Sequence, residues 1–166
     1  MGIHNDSLLA KGPYRNCTNL TGSPVCGPNV ISMYYAYSGC TNLTGSPVCG
    51  NKVTDMTGTY SNCINLTGSP VCGENVVYMG YLEAPWWNDE DIPEGAYQNC
   101  TNLTGSPVCG NNVIDMSNTY SNCVNLTGLP ICGNNVESMI GTYRGCINLT
   151  GSPVCGNKVT NMSYTY

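Results

Sequence analysis

The stretch Tyr97-Gln-Asn-Cys-Thr-Asn-Leu-Thr-Gly-Ser-Pro-Val-Cys-Gly-Asn-Asn-Val-Ile-Asp-Met116 decides how the chain is read, because versions of it recur. The leucine of its Asn-Leu-Thr core returns at Leu20, Leu43, Leu66, Leu103, Leu126 and Leu149, 23 residues apart except for a gap of 37 after Leu66. Six units follow: 14–36, 37–59, 60–96, 97–119, 120–142 and 143–165, the third carrying 14 extra residues within 80–96. Residues 1–13 precede the pattern and read as an N-terminal lead or cap, while Tyr166 opens a seventh unit that stops at once. A fixed short period marks a stack of similar coils, since no single unit can bury its own apolar face.

Within a unit the apolar columns are regular. Val53, Met56, Tyr60, Cys63 and Leu66 follow one another at intervals of three, four, three and three, which predicts one side of a short helical or 3₁₀ segment. Leu66 facing inward, with Thr67 and Ser69 outward, predicts a short strand paired in parallel with its counterpart in the next coil. Pro70 lacks a donor and ends that strand. Val71 and Cys72 return to the core, and Gly73 turns the chain. The expected fold class is a repeat solenoid with one short parallel β-strand plus one short helical or 3₁₀ turn per coil.

The run Met116-Ser-Asn-Thr-Tyr-Ser-Asn-Cys-Val-Asn-Leu-Thr127 resembles the BspA-type leucine-rich repeat. It is most similar to the variant of bacterial surface proteins and lipoproteins that reads roughly V-T-N-M-S-x-M-F-x-x-C-x-x-L-T. Thr119-Tyr120 stands where that family has Met-Phe. The resemblance spans 14–166 through the Val-x-x-Met…Cys-x-x-Leu-Thr frame. The Gly-Ser-Pro-Val-Cys-Gly stretch departs from the family's Leu-x-Leu-Ser strand. Similar repeats occur in phage tail proteins. The resemblance implies a right-handed leucine-rich-repeat solenoid used for adhesion or recognition, without catalytic residues.

Composition narrows the function. Only 9% of residues are charged, and 41% are apolar, which argues against a disordered tail. A net charge of -5 with five basic residues argues against nucleic-acid binding. No apolar run is long enough for a membrane span. The start, Met1 to Ala10, has no basic region of a signal peptide, and Ser7 sits one place late for a myristoylation motif. The expected location is nevertheless extracellular, at a cell surface or on a virion. The only histidine, His4, lies outside the repeats. No serine has a base, no phosphate loop is present, and the repeated cysteines lack a neighbour that would activate them. The chain reads as a non-enzyme with no cofactor.

The 12 cysteines form two columns: Cys17, Cys40, Cys63, Cys100, Cys123 and Cys146, then Cys26, Cys49, Cys72, Cys109, Cys132 and Cys155. They read either as a disulfide framework or as reduced core ladders. Their spacing and the single histidine do not suit structural zinc, so no metal is expected. The asparagines of the Asn-Leu-Thr sequons read as structural, bonding to neighbouring backbone.

Two candidate surfaces emerge. One is the outward column Thr21, Thr44, Thr67, Thr104, Thr127 and Thr150, running beside serines and Leu129. This array resembles those of ice-binding solenoids and also suits the solvent face of a sheet. The other is the insert, where Tyr81, Trp86, Trp87, Asn88, Asp89 and Asp91 gather aromatic and polar contact groups. The expected function is recognition or adhesion toward a protein or glycan receptor. A self-assembling filament or virion subunit, stacked head to tail, and an ice-binding protein are the alternatives.

Overall fold

The computed structural model describes residues 12–80 and 94–166. The units do stack, but the expected strand and helical segment are absent. Among the described residues there is no helix, and the only β-pairing is seven isolated parallel bridges. The solenoid of strands and helical turns is thereby corrected to a stack of turn-built units.

The reason lies in the backbone of each unit. Turn bonds close every three residues, as in Thr59 N–H to Met56 O, Cys63 N–H to Tyr60 O and Leu66 N–H to Cys63 O. They never merge into a helix, because Asn62, Asn99 and Asn122 sit in the left-handed region at φ 61°. Asparagine tolerates that conformation better than most side chains. The predicted strand fails similarly: Gly68, at φ 83°, interrupts it directly after Thr67, and Pro70 then offers no donor. Backbone pairing survives mainly at one residue per unit, the column Ser32, Asp55, Tyr78, Asp115, Ser138 and Asn161.

Units are joined by two sets of bonds that run in opposite directions. Met33, Tyr35, Tyr37 and Gly39 donate forward to Asp55, Thr57, Thr59 and Ser61, at 2.8–2.9 Å. Thr44 and Thr67 donate backward to Gly22 and Gly45, at 2.9 Å. Side chains reinforce this register. Asn99 donates to Asn62 and Asn122 donates to Asn99, each at 2.8 Å. The sequon residues Asn42, Asn65, Asn125 and Asn148 donate to a backbone carbonyl of the preceding unit at 2.7–2.8 Å.

The core is a set of columns. Val53, Met56, Tyr60, Cys63 and Leu66 are all fully buried. The tyrosines stack face to face, with ring centroids 5.6 Å apart for Tyr37–Tyr60 and Tyr97–Tyr120. One expectation shifts: the loop proline is buried at Pro47, Pro70, Pro107 and Pro130, while the next residue is half-buried at Val48 and Val71 and exposed at Val108 and Ile131. Val25 is 73% exposed and Ile131 56%.

The insert leaves after Gly80 and returns through Glu94 and Gly95, both ends resting on the described stack. The Glu94 carboxylate accepts from Ser61, from Ser38 at 3.2 Å and from Asn62 at 3.1 Å. Its N–H donates to the Tyr35 hydroxyl at 3.1 Å. Glu94 is thus an anchor of the insert's exit. Gly80 and Gly95 press against the backbone of Ser117 to Thr119 so closely that neither position has room for a Cβ.

Candidate functional site

The insert residues Tyr81, Trp86, Trp87, Asn88, Asp89 and Asp91 lie outside the described residues. The threonine column lies within them, and Thr21, Thr44, Thr67, Thr104, Thr127 and Thr150 are all exposed. Beside it run exposed Ser23, Ser46, Ser69, Ser106, Leu129 and Ser152. The Val/Ile that follows the proline adds a third, apolar column, with Val108 37% and Val154 55% exposed. Together these loops make a ridge without a single charged side chain in any Thr-Gly-Ser-Pro-Val copy or its Thr-Gly-Leu-Pro-Ile variant. Depletion of charge is the compositional mark of a protein-contact core.

The first four loops are each held from below by a tyrosine hydroxyl. The Tyr120 hydroxyl accepts from Val108 N–H at 3.2 Å and donates to Val108 O at 2.6 Å. Tyr37, Tyr60 and Tyr97 clamp Val25, Val48 and Val71 in the same way. The clamp was not legible in the chain, because its partners belong to different units and the bonds go to backbone. A shallow open depression lined by Pro47, Val48, Cys49, Val71 and Cys72 flanks the ridge.

All twelve cysteines are free thiols. Most of the first column donates to the tyrosine carbonyl one unit back, as in Cys100 to Tyr60 O and Cys123 to Tyr97 O at 2.9 Å. Burial pushes the Cys63 and Cys109 thiols up to about 12, and those of Cys49 and Cys146 up to about 11. Desolvation of the thiolate is the main cause in each case. Such thiols make poor nucleophiles at neutral pH. Among the described residues, no three His, Cys, Asp or Glu side chains gather as a metal site.

These thiols set an alkaline limit. An unfolded chain releases thiol protons near pH 9, while the folded chain retains them to about pH 11–12. Between those values the native state binds more protons, so stability falls as pH rises. Burial of Tyr97 and Tyr120 raises both hydroxyls and acts in the same direction above the ordinary tyrosine value. Urea midpoints should stay level from about pH 7 to 9 and drop steadily toward about pH 10.5. A level profile throughout would mean that the thiols titrate as though exposed.

The sequence pattern of the Kazal-type serine protease inhibitor domain matches residues 96–122, the fourth unit with one residue before it and three after. No curated protein and no solved structure is similar enough to the chain to count as a match. The match covers well under half of the chain and shows a similarity, not membership. It replaces the BspA-type leucine-rich-repeat resemblance, which no comparison supports. The matched class is one of protease inhibitors, which act by binding a protein. No helix among the described residues is long and apolar enough to cross a membrane.

Proposed function

We propose that this chain is an extracellular, non-enzymatic protein-binding repeat whose Thr-Gly-Ser-Pro-Val loops are the contact surface and whose partner is a serine protease. The carrying observation is the loop at 104–108. Thr104, Ser106 and Val108 face solvent, while the backbone is fixed by Thr104 N–H to Gly68 O at 2.9 Å and by the Tyr120 clamp. A loop already held in one conformation binds with little ordering cost. The same loop lies inside the stretch similar to an inhibitor domain, and its near-copies in the other units offer multivalent engagement.

The chemistry narrows the protease. No loop offers lysine or arginine, so a protease with an acidic primary pocket finds no match. A small apolar pocket accepts Val108. Burial shields Cys40, Cys63, Cys100, Cys123 and Cys146 of the first column from external oxidants, while Cys17 is exposed.

Purified protein assayed against elastase-like, chymotrypsin-like and trypsin-like proteases should inhibit the first and spare the last. Val108→Asp should weaken inhibition at least about tenfold. Equal inhibition of the trypsin-like enzyme, or none of any, would sink the protease assignment. Binding to a glycan array in place of a protease would return the chain to an adhesion role.

A further inference from the structure

The fifth and sixth units, 120–142 and 143–165, meet differently from the others. At the earlier junctions a tyrosine hydroxyl clamps the loop valine. Here the backbone closes directly: Cys132 N–H donates to Val154 O and Val154 N–H to Pro130 O, both at 3.0 Å, and Ile131 pairs in parallel with Val154. This loop alone carries Leu129 in place of serine and Ile131 in place of valine.

Two changes accompany the closure. The hydroxyl of Tyr143, which would be the clamp, is buried without a hydrogen-bond partner. Cys132 is turned inward to 7% exposure, whereas Cys26, Cys49, Cys72 and Cys109 stay partly exposed. Its Sγ lies 3.2 Å from Met139 Sδ and 3.5 Å from Cys155 Sγ, and Cys155 Sγ lies 3.6 Å from Met139 Sδ. Three sulfurs therefore form a near-regular triangle.

We propose that Cys132, Met139 and Cys155 form a trigonal all-sulfur site for a soft monovalent cation, Cu(I). Two thiolates and a thioether are the donors that select Cu(I). Zinc prefers four ligands drawn from sulfur, nitrogen and oxygen, and thioether is not among its usual donors. Bonds of about 2.3 Å, the zinc–thiolate length, require sulfurs about 4 Å apart in a trigonal plane. The triangle must open by about half an ångström, which the flexible methionine permits.

Binding one Cu(I) releases the two thiol protons to solvent and forms two thiolate bonds and one thioether bond; no electron is transferred. The cation offsets the charge that burial otherwise disfavours. Sequence spacing concealed the site, because one ligand is a methionine of the core column.

The test is a titration of the reduced full chain with Cu(I), without oxygen, against a chromophoric Cu(I) chelator. One equivalent should resist the chelator, with three sulfur neighbours by X-ray absorption. Met139→Leu and Cys155→Ser should each weaken retention at least about tenfold. Cys49→Ser, in a clamped loop, should leave it unchanged. Leu129→Ser with Ile131→Val gives this loop the sequence of its neighbours. It should lose the retained equivalent while keeping all three sulfurs in a folded chain. Absence of a retained equivalent overturns the site, as does unchanged retention in Met139→Leu or in the loop variant. A Cys132–Cys155 disulfide found by peptide mapping of oxidant-free protein overturns it too.

Discussion

Tyr120→Ala is expected to lower the unfolding free energy by about 4 kcal/mol, the range for deleting a buried aromatic ring. Tyr120 lies in the middle of the stack, with rings on both sides, at 5.6 Å from Tyr97 and 5.9 Å from Tyr143, each within 2° of parallel. Removing it leaves a ring-sized void between two flat neighbours that cannot close without shortening the whole column. Marginal stability makes a loss of that size close to complete unfolding. Phenylalanine separates ring from hydroxyl. Tyr120→Phe keeps the stack but strands Val108 N–H and C=O, and should cost about 1–2 kcal/mol. Tyr143→Phe removes a hydroxyl with no partner and should cost nothing measurable. Urea unfolding of the three variants checks this. Equal costs for the two phenylalanine variants would remove the clamp as a source of stability.

Gly95→Ala is expected to cost about 3 kcal/mol or more, the upper end for overpacking. Its Cβ would fall on the carbonyl of Asn118 and the nitrogen of Thr119, where the obstacle is backbone rather than a movable side chain. That backbone is itself committed: Asn118 N–H donates to Ile140 O at 2.8 Å and Thr119 O accepts from Tyr97 N–H at 2.9 Å. Gly22→Ala is the comparison. Gly22 has φ 84° and nothing within 4 Å of an added Cβ, so it pays only the left-handed backbone cost of about 1–2 kcal/mol. If urea unfolding ranks Gly95→Ala no worse than Gly22→Ala, the crossing at the insert yields more easily than its geometry indicates.

These residues also show what the chain made legible. The columns Val53, Met56, Tyr60, Cys63 and Leu66 could be read as one buried face, because a period of 23 repeats whatever the local conformation is. The conformation could not be read from the same spacing. Intervals of three and four suit a helix, and they equally suit successive turns separated by left-handed Asn62 and Gly68. The threonine ridge was visible as an alternation. In its third column Pro70 is the buried residue and Val71 is only half-buried. The tyrosine clamp and the sulfur triangle depend on contacts between units and left no mark in the spacing.

The contacts between units mostly repeat from one junction to the next: threonine N–H to glycine carbonyl, sequon asparagine to backbone, ring to ring. A recombination that joins matching positions in two repeats on one side of the insert would give a gene encoding a chain shorter or longer by a multiple of 23 residues. Apart from those at the insert and the fifth loop, each junction in that product is one the protein already makes. Copy number is therefore a heritable quantity that can drift without any new packing being invented, and the reach of the ridge drifts with it.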